Sequence, residues 1–196
     1  MSSPFPPGAY KIVNYENGNI NAVNTPSGYS PVVADSESAI FTVSTPEPKS
    51  TDHLGFHVHH LVNIRKEGRP ANLSVPIIVG TTLPPGESGR VVLFDTAVPS
   101  TWCIHSSNDG ETNKYLIYSS RYGTTEHGPC HWHLESSKKG TNVIVNADQA
   151  HPINVALRGH ISAGSQGEVS LNNLTQKLKG LEKHHSDCFW HFYKQN

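Results

Sequence analysis

The sequence has few of the features that identify a disulfide-stabilised, nucleic-acid-binding or membrane protein. Its three cysteines are an odd number and lie far apart, which is not the pattern of a disulfide framework and favours a reducing compartment. Charged residues are sparse, the formal net charge is −1, and no block of like charge is present. Nothing therefore attracts the chain to phosphate backbones or anionic lipids, and we expect no nucleic-acid partner.

Long apolar runs are also absent. No segment approaches the length that spans a bilayer, and residues 1–7 contain neither a basic region nor an apolar stretch of the kind found in signal peptides. These absences predict a cytoplasmic protein with no membrane partner.

The motifs of common enzymes are missing as well. The chain contains no His-Glu-x-x-His, no Cys-x-x-Cys, no Gly-x-Ser-x-Gly and no glycine loop for phosphate. Cys130 and His131 are neighbours, but adjacent residues of a strand point to opposite faces and are poor hydrogen-bond partners. The sequence therefore predicts a non-enzymatic protein without a cofactor.

Turn-forming residues are abundant, with 16 glycines and 14 prolines between short apolar runs, and this composition is typical of an all-β protein. The tripeptide Ile12-Val13-Asn14 recurs as Leu61-Val62-Asn63 and as Ile144-Val145-Asn146. A polar break and a second apolar run follow each copy. This pattern predicts three related β-hairpins, the first of which turns at Asn17-Gly18.

Each unit also ends in an aromatic-x-aliphatic strand, at 41–43, 102–104 and 190–192. Three hairpin-led units around an axis could share one core and leave no open sheet edge. We therefore predict a single domain, 1–196, that forms a β-trefoil-like barrel of three unequal repeats, roughly 8–45, 54–135 and 140–196.

One helix is predicted near the C-terminus. Leu174, Leu178 and Leu181 follow the i, i+4, i+7 spacing of a buried helical stripe, and Asn173 could cap its start. The apolar runs at 152–157 and 168–171 are interpreted as strands of the third unit, and Gly180 weakens the short helix.

The two ends of the chain resemble a known group of proteins. Gly8-x-Tyr10-x-Ile12-x-Asn14 followed by an Asn-Gly turn, and the terminal Trp190-x-Phe192, are similar to motifs of fungal β-trefoil proteins. These are the mycocypin-type and related mushroom protease inhibitors and the ricin-B-like lectins. The resemblance implies a defence protein whose partner is a protease or a glycan, and a homodimer is compatible with it.

For protease inhibition, two loops could be held rigid by proline so that little entropy is lost on docking. A basic side chain in the first loop would suit the S1 pocket of a trypsin-like enzyme. The alternative is that both are ordinary solvated turns. The predicted inhibitory residues are Arg65, Lys66, Arg69, Pro70, Pro84 and Pro85.

Carbohydrate binding is the alternative function. No tryptophan is preceded by glutamine two residues earlier, so the Gln-x-Trp motif of ricin-type lectins is absent and a lectin would need another site. Tyr15, Tyr29 and Tyr122 could stack on a sugar ring if they are exposed. Such tyrosines more often anchor loops while half-buried.

Thirteen histidines make a metal-binding protein or a His-based enzyme the third hypothesis. Residues two apart on a strand share a face, so His57 with His59, or His131 with His133, could present two imidazoles to one ion. If the intervening residues point into the core, however, the same alternation places these histidines on the surface. We therefore predict no dedicated metal site.

Overall fold

The computed structural model describes residues 5–23, 29–47, 51–52, 54–64, 70–74, 89–94, 101–107, 113–119, 128–163 and 168–196. Within these residues the chain is mostly β-sheet, with two α-helices. The strands are β1 Gly8–Asn14, β2 Gly18–Ala22, β3 Tyr29–Ala34, β4 Ile40–Ser44, β5 His60–Ile64, β6 Pro70–Ser74, β7 Gly89–Arg90, β8 Val92–Phe94, β9 Cys103–Ser106, β10 Tyr115–Ser119, β11 Cys130–His133, β12 Ile144–Asn146 and β13 Trp190–Lys194. The helices are α1 Pro152–Ser162 and α2 Glu168–Leu181, and a 3-10 turn spans Ser186–Cys188.

Six strands form a nearly closed barrel. Strand β1 pairs with β4 along one edge and with β13 along the other, β4 continues to β5, and β13 continues through β10 to β9. The gap between β5 and β9 is bridged by His59 and Trp102, whose backbone N–H groups each donate to the other's carbonyl at 2.8 and 2.9 Å. The barrel-like all-β architecture predicted from the sequence is confirmed at this level.

The remaining strands form hairpins beside the barrel. The pairs are β2 with β3, β6 with β8, and β11 with β12, and the short strand β7 pairs with β12 on its other side. The β3–β8 pairing and a bridge between Val33 and Asn142 connect these pairs. The predicted turn at Asn17-Gly18 is confirmed, because β1 and β2 pair directly across it. Gly18 has a φ of +82°, a left-handed conformation that glycine adopts without steric cost.

Aromatic side chains fill the barrel. Trp102, Trp132 and Trp190 are almost completely buried, and Trp132 lies edge-on to the other two at centroid distances of 5.3 and 5.7 Å. Edge-to-face contacts of this kind stabilise aromatic pairs beyond the area that they bury. Phe41 and Phe192 belong to the same core, so the aromatic-x-aliphatic strands face inward as their sequence pattern indicates.

The third copy of the repeated tripeptide differs from the first two in phase. Ile12 and Leu61, the first residues of copies one and two, are fully buried in the barrel core. In β12 the buried residue is the middle one, Val145, while Ile144 and Asn146 are half-buried. The tripeptide is therefore repeated in sequence, but the third copy buries its second residue where the first two copies bury their first.

The prediction of one helix is incomplete, because the segment interpreted as strands at 152–157 and 168–171 forms α1 and the start of α2. Helix α1 has Pro152 at its first position and His151 as its N-cap, whose ring nitrogen accepts a hydrogen bond from the Ile153 N–H. Its buried residues include Ile153, Ala156 and Leu157, which share one helical face. Neither described helix has the length and apolar character needed to cross a membrane.

The two helices cover an outer face of the barrel. Leu174 and Leu178 of the predicted helical stripe are buried in a second core together with Leu116 and Tyr118 of β10, while Ile117 between them points into the barrel. Strand β10 is therefore apolar on both faces. The neighbouring strand β11 is also covered on its outer side. Polar residues on that side, which a barrel without a covering layer would expose to solvent, are therefore buried.

Candidate metal centre

His131 lies on the outer face of β11 and is fully buried. Its neighbour Trp132 points into the barrel core, as period-2 alternation requires. The prediction that His131 is at the surface is wrong, because α1 and the 3-10 turn cover the outer face of β11. Alternation identifies the face of the strand correctly but cannot show that a second layer covers it.

The tautomer of His131 is fixed by Asn154 of α1. The Asn154 amide nitrogen donates to the carbonyls of Asn146 and Asp148 at 2.9 and 2.8 Å, which turns its oxygen toward the histidine. His131 Nδ1 lies 2.8 Å from that oxygen and must therefore carry the proton. In the neutral ring, Nε2 then has a free lone pair.

The Nε2 lone pair of His131 faces the thiol of Cys188. The sulfur lies 3.3 Å from Nε2, and Cys188 is fully buried and not part of a disulfide. The turn that carries Cys188 is held in place by the buried Asn14, whose amide donates to the Asp187 carbonyl at 2.8 Å, and by the Leu134 N–H, which donates to the same carbonyl at 3.1 Å. These bonds fix the thiol against β11.

His151 completes a group of three around this point. Its ring centroid lies 4.7 Å from that of His131, and one ligand atom from each of His131, His151 and Cys188 lies within 4.8 Å of the other two. In the resting structure His151 Nδ1 accepts the cap bond from the Ile153 N–H, so its Nε2 carries the proton, and binding of a metal through Nε2 would require that proton to move to Nδ1 and the cap bond to be released. The three side chains thus come from a strand, a helix N-terminus and a turn that are distant in sequence.

A second group shares the same sulfur. His133 Nε2 lies 2.7 Å from an Asp187 carboxylate oxygen, to which it donates, and the other carboxylate oxygen lies 3.5 Å from Cys188 Sγ. Burial raises the pKa of Asp187, but the hydrogen bond and charge of His133 and the bond from Cys188 lower it, with a net decrease. Asp187 is therefore a carboxylate at neutral pH beside the thiol.

Burial keeps the main group uncharged in the absence of a ligand. Desolvation lowers the pKa of His131 to about 3, although its bond to Asn154 opposes the shift, and desolvation with the nearby His185 also lowers the pKa of His151. Burial, together with the charge of Asp187, raises the pKa of the Cys188 thiol well above its ordinary value. Two neutral imidazoles and a buried thiol are a donor set that suits a soft or borderline cation, which would displace the thiol proton on binding.

The other two predicted histidine ligands lie elsewhere. His59 is 1% exposed beside the barrel, so the predicted surface position is wrong for this residue too, whereas His57 is half-buried. Neither belongs to a group of three ligating side chains within the described ranges. Burial, with the neighbouring His57 and His60, lowers the pKa of His59 to about 4.

Most residues predicted for protease inhibition or sugar binding lie outside the described residues, namely Arg65, Lys66, Arg69, Pro84, Pro85 and Tyr122. Pro70 begins β6 and Tyr29 begins β3, with their side chains outside the described part. Both functions stay predictions.

Tyr15 is the one predicted sugar-binding side chain whose surroundings are described. It is 45% exposed, but the Lys114 ammonium lies 3.7 Å from its ring centroid and the ring of His191 lies 5.2 Å away. These contacts occupy the ring, since a cation over an aromatic face is itself a stabilising interaction.

Comparison with solved structures shows a likeness in fold. No protein-family model and no curated protein matches the chain. Among solved structures, it is similar to a salivary protein from Culex quiquefasciatus that belongs to the Cysteine and Tryptophan-Rich (CWRC) family. The alignment covers 100% of this chain and 99% of that one, with a TM-score of 0.54 and 11% identity, so the likeness concerns the fold.

The predicted relationship to fungal β-trefoil proteins is therefore wrong, because the structural neighbour is an insect protein. The short motifs that suggested it are explained by the barrel. Tyr10 and Ile12 of β1 are inward-facing core residues, as are Trp190 and Phe192 of β13. Inward-facing positions of adjacent barrel strands require apolar residues at spacing two in any lineage, so these motifs report packing rather than ancestry.

The ligand group was missed because its members are far apart in sequence. Cys188 lies 57 residues from His131, and no spacing rule links a strand, a helix cap and a 3-10 turn. The available signal was the histidine excess itself.

Proposed function

We propose that this protein is a non-enzymatic metal-binding protein in which His131, His151 and Cys188 hold a zinc ion. The observation that carries the proposal is the convergence of these three ligand atoms within 4.8 Å in a buried setting. Mixed thiolate and imidazole ligands are typical of zinc sites in proteins.

The spacing of the ligand atoms is close to that of a zinc site. Zinc–nitrogen and zinc–sulfur bonds of about 2.0 and 2.3 Å in a tetrahedron place the nitrogen and the sulfur about 3.5 Å apart. The 3.3 Å between His131 Nε2 and Cys188 Sγ is close to this spacing. His151 is half-buried, and to supply the third ligand atom through Nε2 it would move its ring proton to Nδ1, release the 3.3 Å cap bond from the Ile153 N–H and shift its side chain toward the ion.

The hydrogen bond from His131 to Asn154 is the outer-shell contact that a ligating histidine normally makes. A histidine that binds metal through one nitrogen usually donates the other N–H to a fixed oxygen, which sets its tautomer. Asn154 is fully buried and held by two backbone carbonyls, so His131 is oriented before any ion arrives.

The ion would have a structural role. His131 belongs to β11, His151 caps α1, and Cys188 lies in the 3-10 turn that leads to β13. An ion bound by all three would connect the helical segment to the barrel at both of its ends. Because an unfolded chain cannot hold the three ligands together, the free energy of binding would add to the stability of the fold.

We also propose that the scaffold is a β-trefoil. Strands β1, β5 and β10 would each open a unit of four strands, with β7 and β8, which only Val91 separates, counted as one strand of the second unit. The pairs β2–β3, β6–β8 and β11–β12 would be the three caps of the barrel. The strand pairings support this division, in which 152–181 is a helical insertion in the third unit. An experimental structure would contradict the proposal if the three units did not superpose around one axis.

The metal proposal is tested with Co²⁺, which replaces zinc and has visible absorption. We expect one Co²⁺ per chain, tetrahedral d–d absorption and a near-ultraviolet thiolate-to-cobalt band that Zn²⁺ abolishes. Cys188→Ala should remove the thiolate band. Cys130→Ala is the matched control, because Cys130 is equally buried but belongs to no group of three ligating side chains among the described residues, and it should keep the band.

Thermal unfolding provides a second measurement. Zinc at about 100 times its Kd should stabilise the protein by about 2.7 kcal/mol, which corresponds to roughly 5 to 10 °C in Tm for a chain of this size. The shift should disappear in Cys188→Ala and persist in Cys130→Ala. The proposal would be contradicted if zinc did not change the Tm of the chelator-treated protein and if Co²⁺ gave no thiolate-to-cobalt band.

A further inference from the structure

A groove lies between α1 and α2. Its volume is about 280 Å³, close to the lower end of the range of roughly 300 to 1,000 Å³ that small-molecule sites have. The metal ligands do not line it. It is therefore a separate feature of the helical segment.

Small residues on α1 create the groove. Ala156, Gly159, His160 and Ala163 line it at the i, i+3, i+4, i+7 spacing of one helical face. Three of these four residues have no side chain beyond Cβ, so α1 leaves space where larger residues would fill the gap between the helices. A methyl group built at Gly159 would meet only the end of the Lys177 side chain, at 3.6 Å.

The facing residues of α2 repeat the same spacing but are mostly polar. They are Ser170, Asn173, Leu174 and Lys177. Among the described residues that line the groove, Lys177 is the one charged residue, and no carboxylate pairs with it among the described side chains. The described lining thus combines a mostly apolar α1 side with a polar α2 side that carries one cation.

His160 and Ser170 supply a further donor. His160 Nδ1 lies 2.7 Å from Ser170 Oγ, and its Nε2 is buried without a hydrogen-bond partner in the described part of the chain. His160 is only 4% exposed, and a buried N–H without a partner would be costly, so the tautomer with the proton on Nδ1 is favoured. Nδ1–H then donates to Ser170 Oγ, and the serine proton is free to donate into the groove.

We propose that this groove binds a small monocarboxylate with an apolar tail. The carboxylate would accept from the Lys177 ammonium and the Asn173 amide, with the remaining donor of the His160–Ser170 pair beside them. The tail would lie against Ala156, Ala163 and Leu174. Charge selects the anion, and the volume limits the ligand to a short chain.

The test uses hexanoate as the probe and amide chemical shifts of the zinc-loaded full chain as the readout. We expect saturable shifts at Gly159, Ala163 and Ser170, with a Kd on the order of 1 mM for a ligand of about eight non-hydrogen atoms. Hexanamide has nearly the same shape without the charge, and it should bind about tenfold more weakly or not at all.

Two lysines of α2 provide a matched pair of variants. Lys177→Met should weaken hexanoate binding about tenfold, whereas Lys179→Met, an equally exposed lysine of α2 that does not line the groove, should leave it unchanged within about twofold. Circular dichroism of both variants checks that the helices are intact. Absence of shifts at the groove, or a Lys177→Met protein that binds like the wild type, would overturn the proposal.

Discussion

Mild acid should destabilise the protein through histidines that are buried in neutral form. His59 is the clearest case, because it is 1% exposed and burial lowers its pKa from 6.5 to about 4. The pKa in the folded state is below that of the unfolded state, so the unfolded chain binds more protons between these two values. The contribution of His59 is fully present above about pH 6.5 and is lost as the pH falls toward 4.

The size of the effect follows from the two pKa values. Between them, each such histidine gives a slope of about 1.4 kcal/mol per pH unit in the free energy of unfolding. From pH 7 to pH 5 this amounts to about 2 kcal/mol for His59, and the same for His105, whose pKa burial and the nearby His160 also lower to about 4. This is a large part of the 5 to 15 kcal/mol that is typical of a folded domain.

Urea unfolding at a series of pH values measures the slope, and His59→Phe isolates its source. Phenylalanine keeps an aromatic ring beside Phe5, which lies 6.2 Å from the His59 ring, but it cannot be protonated. We expect His59→Phe to reduce the loss between pH 7 and pH 5 by about 2 kcal/mol. An unchanged pH profile in His59→Phe would refute the reasoning.

Two further predictions concern packing and backbone conformation. In urea unfolding, Trp102→Phe should lower the free energy of unfolding by about 1 to 2 kcal/mol more than Trp132→Phe does. The first change leaves the Leu73 carbonyl, which accepts from Trp102 Nε1 at 3.1 Å, without that donor, whereas the Trp132 indole N–H has no partner among the described residues. Equal losses in the two variants would contradict this prediction. Gly180→Ala should raise the free energy of unfolding by about 0.5 to 1 kcal/mol, because Gly180 lies in a helix and an added methyl group would meet no atom within 4 Å. Gly140→Ala should lower the free energy of unfolding by about 1 kcal/mol, because Gly140 has a φ of +89°. The opposite signs are the test, and two shifts of the same sign would contradict it.

The local sequence pattern was sufficient to predict a helix or strand where one face of the element is buried and the other is exposed to solvent. Alternation in β1 and β13 and the Asn17-Gly18 turn predicted strands and a hairpin that the structure contains. The stripe of Leu174 and Leu178 predicted α2 for the same reason. In each case the period of the apolar residues equals the period of the backbone, and no distant part of the chain is needed.

Predictions from the local sequence pattern were wrong where the helices pack against the barrel and where the register of a strand depends on its partner. Residues 152–157 contain a short apolar run that suits a buried strand as well as a buried helix, and the His151 cap with Pro152 was the local signal that favoured a helix. The letters of Ile144-Val145-Asn146 matched two other copies, but register with β11 set a different buried residue. Register depends on the partner strand, which no local window contains.

The sequence by itself determined the class of the fold. Turn residues between alternating apolar runs favour many short strands, and an all-β barrel buries the aromatic faces of these strands in one core. It also provided the histidines, of which there are thirteen. Only the tertiary structure decided which of them meet. His131 faces Cys188 because α1 and the 3-10 turn close over the outer side of β11, and the groove exists because two helices cross at small residues. Both arrangements depend on contacts between distant segments, which covalent order does not encode locally.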